Sequence, residues 1–280
     1  MAAFWILQGE LVMNGFQIVV CGSLVPDPLQ TLEPVTTPQG PGLKNETMLP
    51  SVLDPWSAHA LYEAANLAKQ AAGSKVYLVS LGPKAKLQQL MMTVAQKVPF
   101  ELVALDGSAS GFTDAHGVAA ALADAIAAIP GLDKSRLLVF GGCASASRDA
   151  GVTMQLVCER LGIRDFFAGV DEIKAAEDGS FAVLERIEGG EYLASTCQGA
   201  PAVLAWATGN LPEPPNNPQV GMANMRGVMP SLMKAKPTPA GVGGIAYETT
   251  EIPPQKRQTR IVKDASTDEI AKEIVEWINN

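Results

Sequence analysis

Four short apolar runs alternate with helical patterns in the first half of the chain, and this alternation restricts the possible folds more than any other feature. The runs are predicted strands at residues 16–22, 75–81, 101–106 and 135–140. Asp54 and Pro55 stand where an N-cap and a first helical residue are expected, before the helix that precedes the second strand. Strands that alternate with helices indicate a parallel sheet covered on both faces. We therefore predict an α/β fold with a parallel-sheet, nucleotide-binding (Rossmann-like) domain.

Each predicted strand ends at or just before a glycine. The four positions are Gly22, Gly82, Gly107 and Gly141. Open parallel sheets bind ligands beyond the carboxyl ends of their strands. Glycine at those ends lets the backbone approach a ligand closely, so we expect a binding site at this edge.

The loop after the fourth strand is the strongest candidate for that site. It contains mainly Gly, Ala and Ser between Phe140 and Gly151, and a helical pattern follows to Gly162. The backbone N–H groups of Gly151, Val152 and Thr153 would lie at a helix start, which favours an anion such as phosphate. The loop matches neither a P-loop nor the dinucleotide fingerprint. An ordinary strand-to-helix connection explains the same residues and remains an alternative.

The second half of the chain has a different pattern. Residues 181–186 and 192–196 flank a Gly-containing turn and predict a hairpin, and residues 201–206 predict one more strand. Residues 211–246 are rich in Pro, Gly, Asn and Met, so we expect an extended arm there. Ser266 and Glu269 form a capping box that begins a final amphipathic helix.

Composition excludes several functional classes. The formal net charge of −8 and a pI near 4.9 argue against a nucleic-acid partner. The four cysteines have no metal-like or redox-like spacing, and their apolar surroundings indicate buried reduced thiols, which suit the cytosol. No carboxylate cluster has metal-ligand spacing. His59 and His116, the only histidines, have no recognisable catalytic partner. The sequence therefore favours nucleotide binding without a catalytic residue or a metal.

Four aspartates lie near the predicted strand ends or helix starts. They are Asp27, Asp54, Asp106 and Asp149. Each fits a helix cap, and each fits a hydrogen bond to a ribose hydroxyl or an adenine amine. The sequence alone leaves both roles open.

Short motifs along the chain resemble the beta subunit of electron transfer flavoprotein. Val-Pro-Asp follows the first strand at 25–27, Asp-Pro-Trp opens a helix at 54–56, and Gly142 to Thr153 aligns without gaps on the family's nucleotide loop. Pro-Ser-Leu-Met-Lys-Ala-Lys at 230–236 is the most specific match. The chain departs from the family pattern at Asp54, where Asn is usual, and at Ser57, where an acid is usual.

The resemblance implies a set of cofactor-binding positions and two ligands for them. The family binds AMP at this loop or, in its electron-bifurcating branch, a second FAD, while the redox FAD lies mainly on the alpha subunit. The implied residues are Cys21, Asp54, Pro55, Trp56, Ser57, Leu81, Gly142, Cys143, Ala144, Ser147, Asp149, Gly151, Val152 and Thr153.

The resemblance also implies partners and a domain division. The expected protein is a cytoplasmic electron carrier that pairs with an FAD-carrying alpha subunit. It would carry electrons from acyl-CoA-type flavin dehydrogenases to a membrane quinone oxidoreductase or, in the bifurcating alternative, oxidise NADH. Met229, or Val228 in its place, would dock the dehydrogenase. We divide the chain into an N-terminal extension (1–15), a nucleotide-binding domain (16–210) and a partner-embracing arm with a C-terminal helix (211–280).

A third hypothesis is a nucleotide-sensing protein without a redox role, similar to universal stress proteins. The length of 280 residues and the Met-Lys-Ala-Lys segment at 233–236 argue against it.

Overall fold

A computed structural model describes residues 15–38, 40–108, 111–147, 149–240, 245–251, 254, 256–257 and 259–279. The predicted N-terminal extension lies outside these residues, apart from Gly15. The chain divides into two units, of which the first ends at Thr250 and the second begins at Glu251.

The first unit is built on a mostly parallel sheet. The eight strands in its described part are β1 Gln17–Cys21, β6 Lys75–Gly82, β7 Glu101–Asp106, β8 Leu137–Gly142, β9 Asp165–Ala175, β10 Phe181–Arg186, β11 Tyr192–Cys197 and β12 Ala202–Trp206. They lie in the order β11-β10-β9-β12-β8-β1-β6-β7. Strands β7, β6, β1, β8, β12 and β9 run parallel, while β10 and β11 complete the sheet as an antiparallel pair.

Helices cover both faces of this sheet. Their bounds are α1 Pro55–Gln70, α2 Lys84–Val94, α3 Ala115–Ala127, α4 Thr153–Arg160 and α5 Pro218–Lys234. One buried apolar cluster joins the sheet to α1, α2 and α5, and a second joins it to α3 and α4. The predicted Rossmann-like α/β fold is confirmed, as is the β10–β11 hairpin.

The Pro-rich stretch after β1 forms two small antiparallel ladders. Strand β2 (Leu24–Pro26) pairs with β5 (Ser51–Leu53), and β3 (Pro34–Thr37) pairs with β4 (Gly40–Leu43). The β2–β5 pair brings the start of α1 back beside the end of β1, where the Asp54 N–H donates to the Ser23 carbonyl at 2.8 Å.

The expectation of an extended arm is wrong for the stretch that forms α5. Asn217 caps this helix by accepting hydrogen bonds from the N–H groups of Gln219 and Val220. Its buried residues are Gly221, Asn224, Val228 and Leu232, which recur at helical spacing and pack against the sheet. The buried Asn224 amide donates to the carbonyls of Ala95 and Val98.

The second unit contains α6 (Thr267–Asn279). Its predicted capping box is confirmed, because the Ser266 N–H donates to Glu269 Oε2 at 2.8 Å and the Glu269 N–H donates back to Ser266 Oγ. Across the described parts of both units, no helix is both long enough and apolar enough to cross a bilayer.

Candidate functional site

The loop between β8 and α4 closes a small cavity at the carboxyl ends of the parallel strands. Its volume is about 50 Å³. The end of β1, the first turn of α1 and one residue of α3 complete the wall. The lining residues are Cys21, Ser23, Ser57, Leu122, Gly142, Ala144, Ser145, Ser147, Ala150, Gly151, Val152, Thr153 and Met154.

The structure brings most of the implied cofactor residues together in this wall. Cys21, Ser57, Gly142, Ala144, Ser147, Gly151, Val152 and Thr153 all line the cavity. The remaining six, which do not line it, are Asp54, Pro55, Trp56, Leu81, Cys143 and Asp149.

Asp54 holds the loop against the start of α1. It is a buried N-cap residue whose Oδ1 accepts the Trp56 N–H at 3.1 Å. Its Oδ2 accepts the N–H of Ala146, in the loop, at 2.8 Å. Burial raises the pKa of this carboxyl, while the N–H donors oppose that rise. Asp54 therefore acts as a helix cap and a positioning residue, one of the two roles that the sequence left open.

Two glycines set the path of the loop. A Cβ at Gly142 would lie 2.6 Å from the Trp56 Cβ, so no larger residue fits between β8 and α1. Gly151 has a φ of +65°, and a Cβ there would lie 3.2 Å from the Cys143 carbonyl oxygen. This left-handed conformation is strained for L side chains. Gly142 therefore lets the end of β8 lie against α1, and Gly151 lets the loop turn into α4.

The start of α4 gives the cavity an anion-favouring end. Val152 is the N-cap residue and makes no side-chain cap hydrogen bond. The helix dipole and the first-turn N–H groups together favour a negatively charged group at this point. The wall carries small side chains and hydroxyls, which suits a ligand held largely by backbone contacts.

Cys143 does not give the site a nucleophile. Its N–H donates to the Trp206 carbonyl at 2.8 Å, which fixes the loop to β12. Burial raises the pKa of the Cys143 thiol, although the charge of Arg186 partly opposes this. The thiol is therefore protonated near neutral pH, and a protonated thiol is a weak nucleophile. Among the described residues, no group of three His, Cys, Asp or Glu side chains could hold a metal ion.

Larger hollows lie elsewhere, beside α5. One of about 640 Å³ lies between α2 and α5 and is lined largely by Met92, Met222 and Met225. Another, of about 390 Å³, includes Phe100 and Asn224. Their greater volume does not make them better nucleotide sites, because neither has the glycine-rich loop at strand ends that lets backbone N–H groups meet a phosphate.

Of the two predicted docking residues, only Met229 reaches the surface. Val228 is 1% exposed and packs in the core. Its expected role as an alternative anchor is therefore wrong, because a side chain enclosed by its own chain cannot enter a partner. Met229 is partly buried against the same core.

Glu63 is a buried titratable group close to this end of the sheet. Burial raises the pKa of Glu63 to about 7, although the N–H groups of Asn210 and Leu211 donate to its carboxylate and oppose the rise. Between the ordinary value of 4.5 and about 7, the folded chain binds more protons than the unfolded chain. This group therefore makes the folded state less stable as pH rises through that window.

We expect Glu63→Gln to flatten this dependence, because the amide oxygen still accepts the N–H groups but carries no charge. The measurement is the urea midpoint between pH 5 and pH 8. Glu159→Gln, which replaces an exposed acid on α4, is the control and should keep the wild-type slope. An unchanged slope in Glu63→Gln would contradict the assignment.

Sequence reasoning missed part of the cavity wall. Leu122 lies on α3 and reaches the cavity only because α3 packs against α4. No local motif marks such a residue. Ser23 and Met154 were also missed, although both directly adjoin predicted strand or helix ends.

Comparison with known families identifies the family of this chain. The family model of the electron transfer flavoprotein domain matches residues 45–234. The match begins before α1, includes the loop and the hairpin, and ends at the last residue of α5. No curated protein gives a match to the chain. Because the family model covers more than half of the 280 residues, the chain belongs to the electron transfer flavoprotein family.

Proposed function

We propose that this chain is a beta-type subunit of an electron transfer flavoprotein that binds AMP in the cavity between β8 and α4. The observation that carries the proposal is the loop itself. It joins a glycine-lined strand end to a helix start, and it contains most of the positions that the family resemblance assigns to the nucleotide.

The beta assignment is supported by the segment 230–236, whose sequence resembles the beta subunit. Met229 and Pro230 lie in the second half of α5, and Met-Lys-Ala-Lys begins three residues after Pro230, at Met233. On this assignment the chain forms a heterodimer with an alpha subunit that holds the redox FAD. Its partners are acyl-CoA-type flavin dehydrogenases and a membrane quinone oxidoreductase, and its compartment is the cytoplasm.

A second FAD, as in the electron-bifurcating branch of the family, is the alternative ligand. The cavity of about 50 Å³ holds only part of either nucleotide, so each would extend outside it.

The flavin, when bound by the heterodimer, supplies the redox chemistry. The residues of this chain bind and orient the nucleotide. Asp54 fixes the loop, Gly142 and Gly151 allow close backbone approach, and the start of α4 meets the phosphate. The chain therefore works as an electron carrier subunit rather than as an enzyme that converts a substrate.

The nucleotide content of the purified complex tests this function. We expect a flavin absorbance spectrum and, after denaturation, one FAD and one AMP per heterodimer. Two FAD and no AMP would instead indicate the bifurcating type. A chain that purifies without flavin or an alpha subunit would contradict the proposal and favour a nucleotide sensor.

We further propose that Met229 docks the dehydrogenase. Met is flexible and polarizable and suits surfaces that meet several partners. Met229→Ala should lower the apparent affinity of the dehydrogenase by about tenfold or more, since a buried apolar anchor typically contributes on the order of 2 kcal/mol.

The measurement is the electron-transfer rate at low carrier concentration, with cofactor content determined in parallel. Met233→Ala is the matched control, because Met233 is exposed on the same helix one turn later. Equal rates in the two variants would reject the docking role, as would loss of the heterodimer in Met229→Ala.

A further inference from the structure

Asp114 is a buried carboxylate that has no hydrogen-bond partner in the described part of the chain. Its residue is 3% exposed, and neither Oδ1 nor Oδ2 accepts a hydrogen bond. It occupies the N-cap position of α3 but does not cap the helix with its side chain. Buried polar atoms are almost always paired, so an exception of this kind requires an explanation.

Asp114 lies at the end of α3 that adjoins the nucleotide loop. Gly111 precedes it by three residues, and a Cβ at Gly111 would lie 3.2 Å from the Ser147 carbonyl oxygen. The turn that leads into α3 therefore packs directly on the loop that closes the cavity.

Asp114 begins a row of residues on α3 that extends to the cavity wall. The Asp114 carbonyl accepts the Val118 N–H, and Leu122 follows four residues later, so the three residues lie along one line of the helix. Leu122 lines the cavity. Val118 and Leu122 both pack in the apolar cluster that includes Met154. The helical rise places Asp114 about 12 Å from Leu122 along the axis of α3. An extended nucleotide can span this distance.

The carboxylate of Asp114 requires a ligand that carries hydrogen-bond donors. An ionised carboxylate only accepts hydrogen bonds. The first turn of α3 supplies no hydrogen bond to this side chain. A nucleotide whose phosphate meets the start of α4 carries suitable donors elsewhere, in its ribose hydroxyls and its adenine amine.

We propose that Asp114 is a further binding residue of the nucleotide site, where it accepts a hydrogen bond from a ribose hydroxyl or the adenine amine. This inference rests on the proposed function. It adds a residue that comes from α3, outside the β8–α4 loop and the start of α1. It also accounts for a buried acid that has no hydrogen-bond partner among the described residues.

Calorimetric titration with AMP of the full-length chain, from which bound nucleotide has first been removed, tests the inference. AMP is a suitable probe for either ligand, because it is also the adenylate half of FAD. We expect Asp114→Ala and Asp114→Asn to bind AMP at least tenfold more weakly than wild type. Asp124→Asn, which replaces an exposed acid on the same helix, should bind as wild type does.

Thermal unfolding without nucleotide separates binding from a purely structural role. Replacing a buried carboxyl that has no hydrogen-bond partner should leave the melting temperature of both Asp114 variants unchanged or higher. A helix cap would behave in the opposite way. Lower melting temperatures with unchanged AMP affinity would overturn the inference.

AMP analogues identify the donor. The wild type is titrated with 2′-deoxy-AMP, 3′-deoxy-AMP and inosine monophosphate, and so is Asp114→Ala. The analogue that lacks the relevant donor should bind the wild type more weakly, with no further loss in the variant. If each of the three analogues instead loses the same factor of affinity in Asp114→Ala as in the wild type, the proposed hydrogen bond to Asp114 is contradicted. If the wild type binds no AMP at all, the proposed function fails, whereas equal binding by wild type and variants rejects only Asp114.

Discussion

Replacing Gly151 by Leu is expected to weaken AMP binding by about a hundredfold. Gly151 has a φ of +65°, and a left-handed L residue is destabilised by roughly 1–2 kcal/mol, so the loop will shift. The shift and the new side chain also remove backbone N–H contacts to phosphate, each worth about 1.5–3 kcal/mol when the acceptor is charged. The loss of one strong contact or two weaker ones amounts to about 3 kcal/mol, or two powers of ten in affinity.

Gly131→Leu is the matched control for backbone strain. Gly131 has a φ of +71°, and nothing lies within 4 Å of a Cβ built there. Both variants should lose similar stability, but only Gly151→Leu should lose nucleotide, as measured by titration and by the AMP released from purified protein. Full occupancy in Gly151→Leu would show that the phosphate lies elsewhere.

The second large effect is expected at Arg186, whose guanidinium pairs with Asp171. Arg186 Nε and Nη2 donate to the two carboxylate oxygens at 2.9 and 3.0 Å. The Asp171 side chain is 0% exposed and that of Arg186 is 47% exposed. Removing one partner of a buried pair leaves an uncompensated charge, which typically destabilises by 3–5 kcal/mol. Because Arg186 is half exposed, we expect Arg186→Met to lower the free energy of unfolding by about 3 kcal/mol.

Urea denaturation measures this loss, and a second variant tests its cause. Combining Arg186→Met with Asp171→Asn removes the buried charge and should recover a substantial part of the stability. A single variant that loses less than about 1 kcal/mol would place the pair among ordinary surface ion pairs.

The parallel half of the sheet could be predicted from sequence because its strands are buried on both faces. Such strands are continuous apolar runs, as in β1 and β8, and glycine or a helix cap marks their ends. Strand β9 was not predicted because it lacks a regular residue pattern. Its pairing with β12 shifts register between Ala205 and Trp206, beside Gly169, which has a φ of +70°. This irregularity breaks the alternation of apolar and polar residues that identifies a strand.

Helix α5 was missed because its buried face contains residues that usually indicate turns. Gly221 allows close packing on Gln96, where a Cβ would lie 2.9 Å from the Gln96 Cγ. Asn224 makes buried hydrogen bonds to the segment around Ala95 and Val98. Propensity alone predicts a loop here, and tertiary contacts override it.

The candidate site was predictable only where it is local in sequence. The loop from Gly142 to Thr153 is contiguous, and its small residues before a helix start are visible directly. Asp54 was predicted as a helix cap, but its bond to Ala146 joins residues 92 positions apart. Leu122 likewise depends on how α3 packs against α4. Long-range contacts of this kind leave no pattern in a single sequence.

Photolabelling with 8-azido-AMP tests most directly whether the β8–α4 cavity binds a nucleotide. The purified full-length chain is irradiated with the probe, with and without excess AMP, and the labelled peptides are sequenced. AMP-protected labelling is expected at the cavity wall, within residues 142–154 or in the peptides that contain Cys21 or Ser57. AMP-protected labelling confined to the hollow between α2 and α5, or none at all, would contradict nucleotide binding in the β8–α4 cavity.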